Sequence, residues 1–358
     1  GLSISTTSSC TIQAAVGQMS DFDCSMGDLP AGESETVVFT TTTSSPGDVA
    51  IFASALSTDL VPVDPNIADN SSQTAVGVAE AFSLGAVQLL GNADVLSLAA
   101  GDIDGDGAVD LIAGTAAGQP IQIYLSGGFR DFTETAISLP DNSANEGVAV
   151  ADFDRNGTLD LVVANGGGRA DIVYSNDGAG NFTPMAALGP SFSQDVAVGD
   201  FDDDGLLDIV FATTQGNPVY LGDGNGGFSL YATLGNANSH SVAVAVLNND
   251  ARDDIVFANT GSDSQIWMKS AGAGFTQGDS LAIGDAVAVT IGEFGGDLSP
   301  DLAFGRVSSV AGDLPANPVL INDGSGGFGA PIAMLGMSST NDIQAGDCLL
   351  YTSDAADD

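Results

Sequence analysis

Basic residues are almost missing from this chain: 6 Lys and Arg stand against 47 Asp and Glu in 358 residues, a formal net charge of -41. Binding to phosphate needs Lys and Arg to neutralise it, so nucleic acid and anionic membrane surfaces are excluded as partners. No run of about eighteen apolar residues occurs, so no transmembrane helix and no membrane insertion are expected. His240 is the single His, and it sits in a short polar stretch that reads as a surface turn. One His without a Cys/His cluster makes neither a zinc site nor a Ser/His/Asp arrangement. No Gly-Lys-Ser/Thr loop is present to cradle phosphate. Asp pairs are plentiful, but none stands out as a glycosidase dyad. No catalytic residue is assigned, and the chain is read as not an enzyme. Gly1 opens it without Met or a signal peptide, as in a mature or truncated product.

What is present argues for folding. Hydrophobic residues make up 44% of the chain, in short Val/Ala/Ile/Leu runs that a disordered acidic polymer would lack. With 47 Gly, frequent Asn-Asp-Gly turns and nothing resembling a long amphipathic helix, the fold class is all-β. One segment recurs at steps of about fifty residues: Asp102-Ile-Asp104-Gly-Asp106-Gly-Ala-Val-Asp110, Asp152-Phe-Asp154-Arg-Asn156-Gly-Thr-Leu-Asp160 and Asp200-Phe-Asp202-Asp-Asp204-Gly-Leu-Leu-Asp208. Oxygen side chains stand at the first, third, fifth and ninth positions and Gly at the sixth, which is how a short loop wraps a hard cation. The plainer alternative is an acidic solvated turn, and three copies in register weigh against it. Two further units keep the strands but erode the loop: Val246-Leu-Asn248-Asn-Asp250-Ala-Arg-Asp-Asp254 and Glu293-Phe-Gly295-Gly-Asp297-Leu-Ser-Pro-Asp301. In them, weak metal binding or none is expected. An alternating strand precedes each loop, an apolar strand follows it, and a Gly-rich hairpin ending on Phe closes the unit. Four strands per repeat are the signature of a propeller blade.

These units resemble FG-GAP/VCBS repeats, the calcium-loop blades of integrin-type propellers, over residues 79–347, with five full repeats and a sixth begun. The resemblance implies a β-propeller of four-stranded blades, about seven if complete, with about three structural Ca2+ ions. The implied ligands are Asp102, Asp104, Asp106 and Asp110 with the Ala108 carbonyl; Asp152, Asp154, Asn156 and Asp160 with the Thr158 carbonyl; and Asp200, Asp202, Asp204 and Asp208 with the Leu206 carbonyl. Residues 348–358 fit no blade and resemble a translated sequencing-library adapter, so they are read as an artefact or non-native tail.

Cys10 and Cys24 bracket a short stretch, followed by a Gly27-Asp-Leu-Pro-Ala-Gly32 turn and, later, Asp64-Pro-Asn66. On these motifs residues 1–78 are similar to the C-terminal half of an immunoglobulin-like repeat of bacterial surface proteins, a partial β-sandwich, with 73–80 as linker. With Cys348 set aside, Cys10 and Cys24 remain. A disulfide between them suits an extracellular or cell-surface location, with two free buried thiols as the alternative. The expected function is that of an extracellular calcium-binding structural or adhesive protein. Its partners would be further copies of itself or other surface proteins and glycans, and head-to-tail strand addition could join subunits into a fibre. The alternatives are a carbohydrate- or protein-binding propeller and an accessory domain of a larger secreted enzyme.

Overall fold

The structure is a computed structural model that describes residues 93–345 except 128–131, 136–142, 190–191, 309–314 and 338, and before them residue 90 and six strands as backbone. The chain divides into two compact units, residues 1–87 with 348–358, and residues 88–347. The adapter-like tail lies outside the described residues.

In the first unit the described strands form three antiparallel pairs: Leu2–Ser5 with Val38–Thr41, Ser9–Gln13 with Asp21–Ser25, and Gly47–Ser54 with Ser71–Val78. These separate ladders do not display the expected immunoglobulin-like sandwich, and the rest of residues 1–78 lies outside the described residues. The linker expected over 73–80 is corrected: its first six residues lie in a strand. The stretch Ser71–Val78 pairs along its whole length, and the Ala75-Val-Gly-Val78 segment inside the span read as linker suits a ladder. The register sets Cys10 opposite Cys24, and facing residues of an antiparallel ladder lie within the Cα separation that a disulfide spans.

The second unit is built of five four-stranded antiparallel sheets, each in simple meander order. Blade one comprises Val95–Gly101, Asp110–Thr115, Gln122–Ser126 and Phe132–Thr135. Blade two comprises Asn145–Ala151, Asp160–Asn165, Asp171–Asn176 and Phe182–Leu188. Blade three comprises Ser193–Gly199, Asp208–Thr213, Asn217–Gly222 and Phe228–Leu234. Blade four comprises Asn238–Ala245, Asp254–Thr260, Ser264–Lys269 and Phe275–Leu281. Blade five comprises Ala286–Gly292, Asp301–Arg306, Ala316–Leu320 and Ala333–Met337. The first strands of successive blades touch one another, which makes them the inner strands of a propeller. Among the described residues the count is five, the number of full repeats read in the sequence, and not the seven that the resemblance implies for a complete propeller. Beyond blade five, Thr340 N donates to Arg306 O at 2.9 Å and Ala345 N to Thr290 Oγ1 at 3.1 Å.

The unbroken apolar runs of the second strands follow from burial on both faces. In blade two, Leu161 and Val163 enter a core shared with Ile112, Ile121 and Ile123 of blade one, while Val162 and Ala164 enter one shared with Ile209 and Phe211 of blade three. Blade three repeats the split, sending Val210 and Ala212 toward Ile255 and Phe257 of blade four. Alternate residues of one strand thus glue their blade to both neighbours. Phe153 meets Phe228 edge-on at 5.5 Å and Phe201 meets Phe275 at 5.8 Å, so a loop residue of one blade packs on the outer-strand Phe of the next.

Every inner strand carries a bulge near its start, at Val95/Ser97, Asn145/Gly147, Ser193/Asp195, Ser239/Ser241 and Ala286/Ala288. The residue just past it reaches the neighbouring blade. Ser97 Oγ donates to Asn145 O at 2.9 Å, Val242 N to Asp195 Oδ2 at 3.0 Å, and Val289 N to Ser241 Oγ at 3.3 Å. At Gly147 a Cβ would stand 2.8 Å from Asp195 Cα, so only Gly permits this approach.

Candidate metal centres

The five Asp-rich loops join the first and second strands of their blades, all at one end of the sheets. Their backbone is the same in every blade: the fourth and sixth positions take positive φ. These are Gly105 and Gly107, Arg155 and Gly157, Asp203 and Gly205, Asn249 and Ala251, and Gly296 and Leu298. The loop shape therefore survives where ligands and the sixth-position Gly are lost.

In the three intact loops the structure brings together the carboxylates of the first, third and ninth positions. Within each set, Asp102, Asp104 and Asp110, then Asp152, Asp154 and Asp160, then Asp200, Asp202 and Asp208, the carboxylate oxygens lie within 4.8 Å of one another. In each set the first two are half-buried and the ninth is buried. Among the described residues these are the three groups of three acidic or His/Cys side chains so gathered. The first-position carboxylate is oriented by the loop itself: Asp102 accepts from Gly105 N at 2.8 Å and Gly107 N at 3.0 Å, and Asp200 from Asp203 N and Gly205 N, both at 2.9 Å. Asp106 and Asp204, expected as fifth-position ligands, lie outside these triplets. Their Oδ1 atoms, like that of Asn156, each accept from the seventh-position N–H at 2.8 Å. An all-oxygen set of several carboxylates on a short loop fits a hard divalent cation, calcium before zinc or copper.

The electrostatics point the same way. Burial first, then the neighbouring carboxylates Asp106, Asp110 and Asp102, push the Asp104 carboxyl above its ordinary range. Asp202 is raised by burial and by Asp204 and Asp200. Burial carries Asp208 to about 7, against two backbone N–H bonds that pull it down.

The ninth aspartate has a second role that the motif did not disclose. In all five blades its carboxylate bridges two backbone N–H groups, that of the loop's second residue and that at or just past the end of the third strand. Asp110 accepts from Ile103 N at 2.8 Å and Ser126 N at 2.6 Å. Asp160 accepts from Phe153 N and Asn176 N, both at 2.9 Å. Asp208 accepts from Phe201 N at 2.6 Å and Gly222 N at 2.9 Å. Asp254 accepts from Leu247 N at 3.0 Å and Lys269 N at 2.8 Å, and Asp301 from Phe294 N at 2.7 Å and Asn322 N at 2.8 Å. All five aspartates are fully buried. Their persistence in the eroded loops was the readable signal.

Other polar residues were missed. Asn176 Nδ2 donates to Ile103 O of the preceding blade at 2.8 Å, and Asn322 Nδ2 does the same to Leu247 O at 2.8 Å. At the opposite end of the sheets a buried belt includes Asn145 Nδ2 donating to Asn165 Oδ1, and Asn217 Nδ2 to Ser239 Oγ, which donates on to Asn259 Oδ1. In the hairpin turns, Asp177, Asp223 and Asp323 are held below their ordinary range by turn donors: the Asn181 side chain first for Asp177, the Asn225 N–H first for Asp223, and the Ser325 hydroxyl first for Asp323. His240, expected in a surface turn, lies half-buried in the inner strand of blade four, with Nε2 3.1 Å from Thr260 Oγ1. Burial lowers its pKa.

A pH prediction follows for the calcium-free protein. Asp208 at about 7, and Asp195 and Asp254 at about 6, are raised in the folded state from 3.8, chiefly by burial. A carboxyl raised on folding stabilises when protonated, and that contribution is lost as pH rises from about 4 through 6–7. In excess chelator the melting temperature is expected to fall between pH 4.5 and 7.5; a flat or rising profile contradicts the assignment.

The FG-GAP-like repeat family matches residues 102–163, 157–211 and 200–257. No curated protein matches the chain. Among solved structures, an Agrocybe aegerita lectin described for specific recognition of non-reducing terminal N-acetylglucosamine is 19% identical, with a TM-score of 0.45 over 64% of this chain and 64% of the lectin. A mutant of AofleA from Arthrobotrys oligospora is 14% identical, with a TM-score of 0.46 over 70% of this chain and 76% of that one. The V. cholerae biofilm matrix protein Bap1 is 20% identical, with a TM-score of 0.42 over 65% of this chain and 39% of that one. The chain thus spans less than two thirds of the length of the lectin and of Bap1. Residues 102–257 thus match the FG-GAP-like repeat model, and among the described residues they lie in a propeller of five four-stranded blades.

Proposed function

We propose that this chain is an extracellular or cell-surface structural or adhesive protein whose propeller is a calcium-stapled scaffold. The observation that carries the reading is the gathering of three carboxylates, all oxygen donors, in three consecutive loops. Bound there, calcium supplies positive charge that neutralises the triplet and ties the first strand of a blade to its second. Asp102, Asp104 and Asp110, Asp152, Asp154 and Asp160, and Asp200, Asp202 and Asp208 would hold it. The fifth-position groups Asp106, Asn156 and Asp204 and the carbonyls of Ala108, Thr158 and Leu206 are the further ligands that the resemblance implies. Extracellular calcium modules work at dissociation constants of about 10⁻⁴–10⁻³ M, which suits loops this exposed. The facing positions of Cys10 and Cys24 in one ladder support a disulfide and hence an oxidising location.

No catalytic role is assigned, because the gathered carboxylates are accounted for by loop geometry and by the N–H groups they accept. The partners proposed are other copies of the chain, surface proteins or glycans. Assembly into a fibre by strand addition rests on the sequence of residues 1–78 alone, and electron microscopy of native material decides it: isolated monomers refute the fibre.

Calcium titration of the full chain, followed by native mass spectrometry, is expected to show three bound ions. The paired substitution Asp152→Asn/Asp154→Asn should reduce that to two. A protein that binds none sinks the reading.

A further inference from the structure

The fourth loop has lost its first-position carboxylate to Val246, yet it keeps the backbone of a metal loop: Asn249 and Ala251 take φ of 58° and 60°, as Asp203 and Gly205 take 68° and 79° in loop three. It has gained Arg252 at the seventh position, where the other loops carry Ala108, Thr158, Leu206 and Ser299. Arg252 Nε donates to Asp203 Oδ2 of loop three at 2.9 Å, and Nη1 donates to Asp250 O at 2.9 Å while lying 3.9 Å from Asp250 Oδ2. Next to it, Asp253 Oδ2 accepts from the backbone N of Asp200, the first-position residue of loop three, at 2.9 Å. Loop four therefore grips loop three twice, through a cation on Asp203 and a carboxylate under Asp200.

We propose that Arg252 is the resident cation of the fourth loop, standing where the first three loops take calcium and fastening loop four onto loop three. The comparison with calcium rests on the function proposed above; the latch itself does not. The chain has 6 basic residues against 47 acidic ones, so a guanidinium set between Asp203 and Asp250 relieves a local excess of negative charge that would otherwise call for an ion. Arg suits the place because its planar fork serves a carboxylate and a carbonyl at once. The latch also makes Arg252 a positioning residue for loop three: it holds the loop at its fourth position, beside the ligands at the first, third and ninth.

The test compares the full-length chain with Arg252→Leu, Arg252→Lys and the triple variant Val246→Asp/Ala251→Gly/Arg252→Leu, in EGTA and in CaCl2. Arg252→Leu is expected to melt about 2–4 °C lower in EGTA at low salt. The deficit should shrink in 1 M NaCl, where the Debye length is about 3 Å, and Arg252→Lys should keep more than half of the lost stability. The triple variant should bind one calcium more than the parent and regain the lost melting temperature in CaCl2 only. A parent-like melt for Arg252→Leu overturns the proposal, as does a deficit that is unchanged in 1 M NaCl, which would mark packing of the side-chain stem. A triple variant that takes up no extra ion overturns the claim that Arg252 stands in a calcium position. If the parent itself binds no calcium, the calcium reading fails on its own, while the EGTA and salt arms still decide the latch.

Discussion

Stripping calcium with excess chelator is expected to lower the melting temperature of the propeller by roughly 15–30 °C. A ligand that binds only the folded state contributes about 2.7 kcal/mol per site at a hundredfold excess over its dissociation constant. Three triplets of gathered carboxylates thus contribute roughly 8 kcal/mol, and about 1 kcal/mol moves the midpoint of a domain this size by roughly 2–4 °C. Without the ion, each triplet holds like charges within 4.8 Å of one another, so the loops lose a cross-link and gain repulsion. Loops 102–110, 152–160 and 200–208 should become the preferred sites of limited proteolysis. Loops four and five, which lack the triplet among the described residues, should change little. A scan that is indifferent to chelator removes calcium from the account of this fold.

Asp254→Ala should be the most damaging single substitution in blade four, and by the same amount with or without calcium. Asp254 belongs to no triplet, but it accepts from Leu247 N and Lys269 N at fully buried positions. Removing it strands two backbone donors away from water. At about 1–3 kcal/mol for each buried unsatisfied group, the loss is roughly 2–6 kcal/mol. Asp254→Asn, with one acceptor oxygen left, should lose about half as much. Urea unfolding midpoints in chelator measure both. An unperturbed Asp254→Ala would mean that these N–H groups find other partners and that the ninth aspartate is no staple.

Chelation and the Asp254 substitutions separate two jobs that one sequence motif runs together. In Asp102 to Asp110 the first and third aspartates are assigned to the proposed cation, whereas the ninth accepts from the backbone and, in the intact loops, also belongs to the gathered triplet. The spacing of oxygen residues was legible because a short loop turns alternate residues inward. The double use of the ninth residue was not, because the second N–H it accepts comes from the end of the third strand, up to 21 residues away in the chain for Asp301 and Asn322. Only the folded meander brings them together.

By itself the sequence determined the repeat, its phase and the all-β class. A fifty-residue period of alternating strand, acidic loop, apolar strand and Gly-rich hairpin leaves few other folds, since each unit buries its faces only by stacking on the next. It also marked the three loops whose carboxylates converge. The tertiary structure decided what depends on neighbours across blades. It set the blade count among the described residues at five rather than seven and drew His240 off the surface into an inner strand. It also placed the Asn176 and Asn322 amides on the preceding blade and turned Arg252 onto Asp203 of the loop before it. Period and alternation are local and can be read along the chain, whereas a hydrogen bond between residues 49 or 75 positions apart is set by how one blade seats against another.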